Sequence, residues 1–172
     1  RSLALSWFYG ETDADVCFML DRDIAFAPGD LIATAAKANK MQACVGGMYS
    51  LRRRIGGVAS RLVGQDGAVA IGEDHLHEAT YLATGFLAIP RLAVTSVLAS
   101  CEPPDVPHAL RVQEFIGAAA EKAWDLFRPV TIPSDLWPGR NEYLSEDWAF
   151  SLRCRFAGVP LWAWSGPRLV HY

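Results

Sequence analysis

The chain has 172 residues, with 16 Lys and Arg against 19 Asp and Glu, a formal net charge of −3, and 51% hydrophobic residues. That length suits a single domain, and the hydrophobic share excludes a disordered chain, which needs low hydrophobicity and high net charge. The mildly acidic balance argues against a nucleic-acid binder driven by bulk electrostatics, and no apolar run approaches the roughly 18 residues of a transmembrane segment.

In chain order, Ser2 to Tyr9 reads as a helix, with Gly10 placed to end it. Asp15-Val-Cys-Phe-Met-Leu20 is a short continuous apolar run, the pattern of a strand covered on both faces, and it discharges into Asp21-Arg22-Asp23. Pro28 suits a first helical turn and Asp30 the positive end of its dipole, so a helix follows over Gly29 to Ala38. A second strand is expected over Gln42 to Val45, and Gly46-Gly47 then opens a loop through Arg52-Arg53-Arg54. Ala68 to Ile71 and Tyr81 to Ile89 read as strands, and Pro90 starts a helix to about Ser100. Apolar Val112, Phe115, Ile116, Ala119, Ala123 and Phe127 recur at helical spacing, and Pro129 stops that helix. Ser145-Glu146-Asp147 has the composition of a helix start, the helix ends at Gly158, and a strand follows over Pro160 to Trp164. Alternation of helix and strand is the rhythm of an α/β domain.

The four cysteines, Cys17, Cys44, Cys101 and Cys154, form no C-x-x-C pair and suggest neither a zinc knuckle nor a disulfide framework. A reducing, cytoplasmic location is the default expectation. The chain begins at Arg1 rather than Met, with no charged-then-apolar leader, and reads as a processed chain or as a piece of a longer one.

The sharpest chemical feature is Asp21-Arg22-Asp23 at the carboxyl end of an apolar strand, where ligands bind in open α/β sheets. Two carboxylates one residue apart repel, and a hard divalent ion would stabilise them while leaving positions for phosphate oxygens. A solvated strand-to-loop corner is the plainer reading of this pair taken alone. Glu146 and Asp147 add two acids at a helix start, where a carboxylate stays ionised and could orient a hydroxyl. His75-Leu76-His77, among Glu73, Asp74 and Glu78, could set two imidazoles on one face, but further ligands at zinc spacing are lacking. Arg52, Arg53 and Arg54 could face a diphosphate, although a charge run is more often a solvated loop. Trp137, Trp162 and Trp164 read as core, and Trp148, beside the acidic pair, is the best candidate for stacking on a sugar.

In this order the pieces resemble the GT-A-fold, nucleotide-sugar-dependent glycosyltransferases of bacterial type. Asp15-Val-Cys-Phe-Met-Leu-Asp-Arg-Asp23 resembles their strand and D-x-D, and Val45-Gly-Gly-Met-Tyr49 the loop after the next strand. Ala83-Thr-Gly-Phe86 resembles the strand lining the acceptor side, Ser145-Glu-Asp147 the acidic opening of the acceptor-side helix, and Pro167-Arg-Leu-Val-His171 the late strand that delivers a metal-binding His. The resemblance implies one domain over residues 1–172, a three-layer α/β/α fold with a mostly parallel mixed sheet. It implies Mn²⁺ or Mg²⁺ on Asp21, Asp23 and His171, with Arg22 beside them at the donor. It implies a nucleotide-diphosphate sugar as donor and a hydroxyl-bearing glycan, lipid or small molecule as acceptor. Asp147, or less favourably Glu146, would act on the acceptor hydroxyl, and Thr84, Gly85, Phe86 and Trp148 would line the acceptor side. The family's first strand and nucleotide-binding loop have no counterpart here, since only twenty residues precede Asp21. The resemblance therefore implies a domain lacking its nucleotide-binding strand at the amino terminus.

Two rival readings remain. A haloacid-dehalogenase-type phosphatase also begins with a strand running into D-x-D, but Ile24-Ala25 follow here, and Lys122 is the only lysine past the first forty residues. A non-catalytic sugar-nucleotide or partner-binding module of the same fold would keep the carboxylates without the reaction.

Overall fold

A computed structural model of the chain describes residues 1–50, 57–64, 72–100, 123–134 and 139–172. The Arg52–Arg54 run, the expected strand over Ala68 to Ile71, Cys101, Trp137 and most of the expected helix over Val112 to Phe127 lie outside these residues. The described end of that helix, residues 123–127, is not helical but forms an isolated bridge and a turn, with Leu126 and Phe127 buried in the core.

Helix α1 (Ser2–Glu11) runs past Gly10 and stops at Thr12, whose backbone is extended. Its end is held from outside. The Arg91 guanidinium donates to the carbonyls of Phe8, Tyr9, Thr12 and Ala14 at 2.6–3.1 Å, and it lies over the Phe8 ring. A cation at the carbonyl end of a helix complements the dipole and satisfies groups that lack intrahelical partners. Arg91→Met is therefore expected to lower unfolding free energy by about 1.5–3 kcal/mol, the worth of hydrogen bonds to a charged donor, as measured by chemical denaturation.

Strand β1 (Val16–Leu20) leads through a tight turn into β2 (Ile24–Ala25) and helix α2 (Pro28–Met41). Pro28 opens α2, and Asp30 Oδ2 accepts the Ala27 N–H at 3.3 Å, closing its first turn. There follow β3 (Cys44–Gly47), β4 (Arg61–Leu62), β5 (Leu76–Tyr81), β6 (Phe86–Pro90) and α3 (Arg91–Ser100). A hairpin of β7 (Val130–Pro133) and β8 (Asn141–Leu144), absent from the sequence reading, precedes α4 (Glu146–Phe156), β9 (Leu161–Trp164) and β10 (Val170–His171).

The main sheet has the order β1-β6-β3-β9-β5-β4. Only β3 and β9 pair in parallel, and the other four pairings are antiparallel, so the expected mostly parallel sheet is corrected to a mostly antiparallel one. The reason lies at residues 82–85, where one long strand was expected and two are found. Their backbone donors are taken by side chains rather than by a ladder: Leu82 N–H by Ser151 Oγ, Ala83 N–H by Ser60 Oγ and Thr84 N–H by Asp147 Oδ2. The segment carries the chain from β5, past β9 and β3, to β6 on the far side. Gly46 makes room for it, since a Cβ there would meet Leu82 Cδ2 at 3.3 Å. Gly46 and Gly47 thus belong to strand β3 rather than to a loop.

Two helical layers flank the sheet. One face carries Met19, Cys44, Leu87, Ile89, Leu161 and Ala163 against α1, α3 and α4, through Leu5, Phe8, Val94, Val97, Phe150 and Cys154. The other carries Val45, Ala88 and Trp164 against Ala38 of α2. The three-layer α/β/α arrangement is thus present. Strand β1 is the end strand among those described, not a central one. With one neighbour, Val16, Cys17 and Phe18 are half-buried and Leu20 is exposed, although Met19 is buried as expected.

Candidate functional site

The carboxyl end of β1, the crossing at Leu82–Gly85 and the amino terminus of α4 meet at one place. Asp21 N–H donates to the Gly85 carbonyl at 3.0 Å, which holds the acidic corner against the crossing. Asp147 is fixed from two sides. Its Oδ2 accepts the Thr84 N–H at 3.2 Å, and its Oδ1 accepts the Thr84 hydroxyl at 2.6 Å. Thr84 is fully buried, so its hydroxyl has no competing water. Ser145 occupies the cap position of α4 without a side-chain bond, and the helix start is stabilised instead by Glu146 and Asp147 in its first turn.

Between Asp21 and Asp147 lies Arg1. Its guanidinium reaches Asp21 Oδ1 at 2.7 Å, Asp147 Oδ1 at 2.6 Å and Glu146 Oε1 at 3.1 Å. Burial works against its charge, but the Asp21 hydrogen bond and the fields of Asp147, Asp21 and Glu146 outweigh it and hold its pKa above the ordinary arginine value. The sequence reading had not singled Arg1 out, because nothing local marks a helix-opening arginine as the partner of acids 20 and 146 residues away.

Tyr49 was read as part of a loop motif, and it forms the floor of the site. A Cβ on Gly85 would collide with the Tyr49 hydroxyl and lie 3.2 Å from Asp21 Oδ2, so Gly85 is the cradle that lets both approach. Burial, with added repulsion from Asp147 and Asp21, pushes the Tyr49 phenol up to about 12. It stays protonated at any physiological pH. Its ring meets the edge of His171 at a centroid distance of 5.4 Å.

His171 is delivered to Asp23 by the pairing of β10 with β2, which sets His171 opposite Ile24, and the Tyr172 N–H donates to the Asp23 carbonyl. His171 Nε2 lies 3.7 Å from Asp23 Oδ2, and Nδ1 lies 3.4 Å from the Ser50 carbonyl. In the tautomer with the proton on Nδ1, facing that carbonyl, the Nε2 lone pair faces Asp23. Arg22 is exposed at the turn between Asp21 and Asp23.

Other candidates fall elsewhere. Phe86, expected on the acceptor side, is fully buried in a cluster with Ile24, Tyr49, Ala83 and Leu169, where only core atoms reach it. Trp148 stacks face to face on Tyr81, with centroids 4.7 Å apart, and the Arg61 guanidinium lies 6.0 Å from its ring centroid. One face of the Trp148 ring is thus covered by Tyr81. His75 is exposed and faces Glu73 at 3.4 Å, while Asp74 is committed to Trp164 Nε1 at 2.6 Å and to Lys37 at 3.5 Å. Those contacts, the Trp164 bond first, lower the Asp74 pKa. Among the described residues the His75–His77 pair forms part of no metal-binding group.

No family model matches this sequence, and no curated protein is similar to it. A viral protein, A197 from STIV, superposes with a TM-score of 0.55 at 20% sequence identity, over 100% of this chain and 65% of that one. At that identity the likeness concerns the fold alone, and the present chain spans about two thirds of A197.

Among the described residues no three His, Cys, Asp or Glu side chains converge as a metal-binding group, and no helix is long and apolar enough to cross a membrane. Asp23 and His171 could nevertheless supply one carboxylate and one imidazole ligand to a divalent cation. Two ligands each about 2.1 Å from an ion lie about 3–4 Å apart, the separation of Asp23 and His171, and such ions commonly take one or two protein ligands and complete their shell with water and phosphate.

Proposed function

We propose that this chain catalyses metal-dependent glycosyl transfer from a nucleotide-diphosphate sugar to an acceptor hydroxyl. What supports the reading is the meeting of two acidic motifs, Asp21-Arg-Asp23 and Glu146-Asp147, on either side of one crossing segment, with His171 brought beside Asp23.

On this reading Asp23 and His171 hold Mn²⁺ or Mg²⁺, with Asp21 adjoining. The ion supplies Lewis-acid neutralisation of the diphosphate leaving group. Asp147, oriented by the two Thr84 donors, accepts the hydrogen bond of the acceptor hydroxyl and takes its proton as the new glycosidic bond forms. Glu146, more exposed and paired with Arg1, shapes the approach. Thr84 and Gly85 act by positioning Asp147 and by leaving space for Tyr49. Exposed Arg22 would meet the donor's phosphates.

The test is calorimetric titration of a panel of nucleotide-diphosphate sugars with and without Mn²⁺, followed by assay of nucleoside-diphosphate release in the presence of hydroxyl acceptors. Wild-type binding is expected to require the ion. Asp23→Ala and His171→Ala are each expected to weaken Mn²⁺-dependent binding by at least about tenfold, since even outer-shell partners of a metal are worth that much. His171→Ala should affect Mn²⁺ more than Mg²⁺, because imidazole suits the softer ion. Unchanged metal affinity in both variants would overturn the assignment. Donor binding without transfer to any acceptor would favour a binding module of the same fold.

A further inference from the structure

The two ends of the main sheet are built differently. Strand β4 has two residues, begins with Arg61, and shifts register against β5 between Arg61 and Leu62. Short length, charge and irregularity are the usual protection of a sheet edge against further pairing. Strand β1 has none of them. Val16–Leu20 carries no charge and no proline, and it pairs with β6 over five residues without a shift. The hydrogen bonds at its two ends fix where its backbone groups point. Arg91 N–H donates to the Asp15 carbonyl and Asp21 N–H to the Gly85 carbonyl, so the odd-numbered residues face β6. In an antiparallel pair the alternate residues turn their N–H and C=O the other way. Val16, Phe18 and Leu20 therefore present theirs outward, and among the described residues no strand lies beyond β1.

Helix α1 flanks the same end. Arg1 at its start reaches Asp21 at the end of β1, and Arg91 ties its last turn to Ala14 at the start of β1, so the helix runs antiparallel along the strand. Leu5 and Phe8 enter the core, while Ser2 and Ser6 bond to Asp125 and Trp124. That bonded side faces α4, because Phe127 in the same segment stacks on Phe150. The opposite flank looks out past β1, and on it Leu3 is 55% and Trp7 63% exposed. Ser2 to Gly10 includes no charged residue, and a helix without a charged face is normally enclosed by its surroundings.

A row of alternating N–H and C=O groups is matched by another extended polypeptide, which repeats the same groups at the same spacing. Charge disfavours a second copy in that role. The antiparallel register that uses all three outward residues of each copy sets Phe18 opposite Phe18 and Asp15 opposite Asp21 at both ends. Like charges directly opposite destabilise a strand pair. Asp13 and Asp15 are exposed where β1 begins, and the neighbouring Arg91 is committed to backbone carbonyls. A basic residue on the incoming strand complements those two acids.

We propose that the outer edge of β1 docks an extended, apolar polypeptide segment with Lys or Arg beside Asp13 and Asp15, which adds a strand to the sheet and rests on Leu3 and Trp7 of α1. The segment matches the five residues of β1 in length and bonds to the backbone of Val16, Phe18 and Leu20. Its far end reaches the turn at Asp21, so it forms a wall of the acidic site whichever reaction that site serves.

The experiment is amide hydrogen exchange of the whole chain, read residue by residue by nuclear magnetic resonance. The probes are the end-capped peptide Lys-Lys-Val-Thr-Val-Thr-Val, its reversed sequence, and both peptides with Glu in place of Lys. In the protein alone the amides of Val16, Phe18 and Leu20 are expected to exchange faster than those of Cys17 and Met19. With the lysine peptide of the fitting direction at about ten times its Kd, those three amides should slow by about tenfold, the factor 1 + [L]/Kd. The glutamate peptides should bind about fivefold more weakly, and the Asp13→Lys/Asp15→Lys double variant should reverse that preference. Leu20→Pro removes one outward N–H where an edge strand tolerates proline, and it should weaken binding about tenfold. The charge reversal serves if Leu20→Pro folds poorly. Slow exchange of the three outward amides in the protein alone would overturn the proposal, by showing that the chain itself covers β1. Slowing that follows protein concentration without peptide, with a dimer mass, would overturn it in favour of a second copy. Failure of all four peptides to bind, or binding that leaves these amides unchanged, would overturn it as well.

Discussion

Asp147→Asn is expected to lower kcat for sugar transfer by about 10²–10⁴-fold, the usual contribution of a positioned general base. The substitution keeps the size of the side chain and removes its basicity. Donor affinity should change little, because Asp147 faces the start of α4 and the crossing segment rather than the Asp23–His171 pair. The carboxylate accepts three bonds, from Thr84 N–H, Thr84 Oγ1 and Arg1. An asparagine must turn its amide donor towards one of these donors, so some loss of stability accompanies the loss of rate. Thermal unfolding measured alongside kcat and the donor Kd separates the two. A variant that folds, binds donor and fails to transfer is the expected result. A loss confined to donor binding would reassign the start of α4 to the nucleotide.

The largest effect on stability is expected from Phe86→Ala, at about 3–5 kcal/mol, the range for removing a buried aromatic side chain. Phe86 is fully buried, meets Phe18 edge-on at a centroid distance of 4.7 Å and lies 5.5 Å from Phe26. Its ring also fills the space that glycine leaves at position 47, where a Cβ would come within 2.7 Å of it. The cavity would open directly beneath the β1–β2 turn that carries Asp21 and Asp23, so the acidic corner should lose its order with the core. At about 2–4 °C per kcal/mol for a domain of this size, the melting temperature should fall by about 10 °C. Had Phe86 served the acceptor, as its place in Ala83-Thr-Gly-Phe86 suggested, the same variant would melt normally and raise only the acceptor KM. Calorimetry and kinetics on one sample distinguish these outcomes.

Helices were the most legible part of the fold. Pro28 with Asp30, Pro90 before Arg91, and Ser145-Glu-Asp147 are local signals whose physics is complete within one turn, and α2, α3 and α4 begin at or beside them. Gly158, with positive φ, ends α4 where it was expected to. Gly10 misled because α1 is stopped from outside, by Arg91, rather than by its own C-terminal residue. The β7–β8 hairpin gave little signal. Its residues are half-buried or exposed except Leu144, which is buried, and residues 135–138, within the connection of the two strands, lie outside the described part.

Strand order was not legible, and the break at residues 82–85 shows why. Leu82, Ala83 and Thr84 are as buried as the strands on either side, so hydrophobic pattern continues unbroken through a segment whose donors are claimed by Ser151, Ser60 and Asp147. Burial is a property of the environment and does not report which backbone group bonds to which. The same limit hid the end position of β1: five apolar residues signal a strand, but the number of neighbours it has depends on where the rest of the chain goes.

The sequence by itself determined the residue types of the site, namely two acids after an apolar strand, two acids at a helix start, and a histidine near the last residue. It did so because each is a local pattern with a local physical consequence. Only the tertiary structure decided that the acids meet across Thr84 and Gly85, that His171 comes to Asp23 through the β10–β2 pairing, and that Arg1 and Tyr49 complete the cluster. Coulomb attraction and packing act between residues close in space, and residues 1, 21, 49, 84, 147 and 171 become close only when the sheet brings their strands and helix ends to one edge.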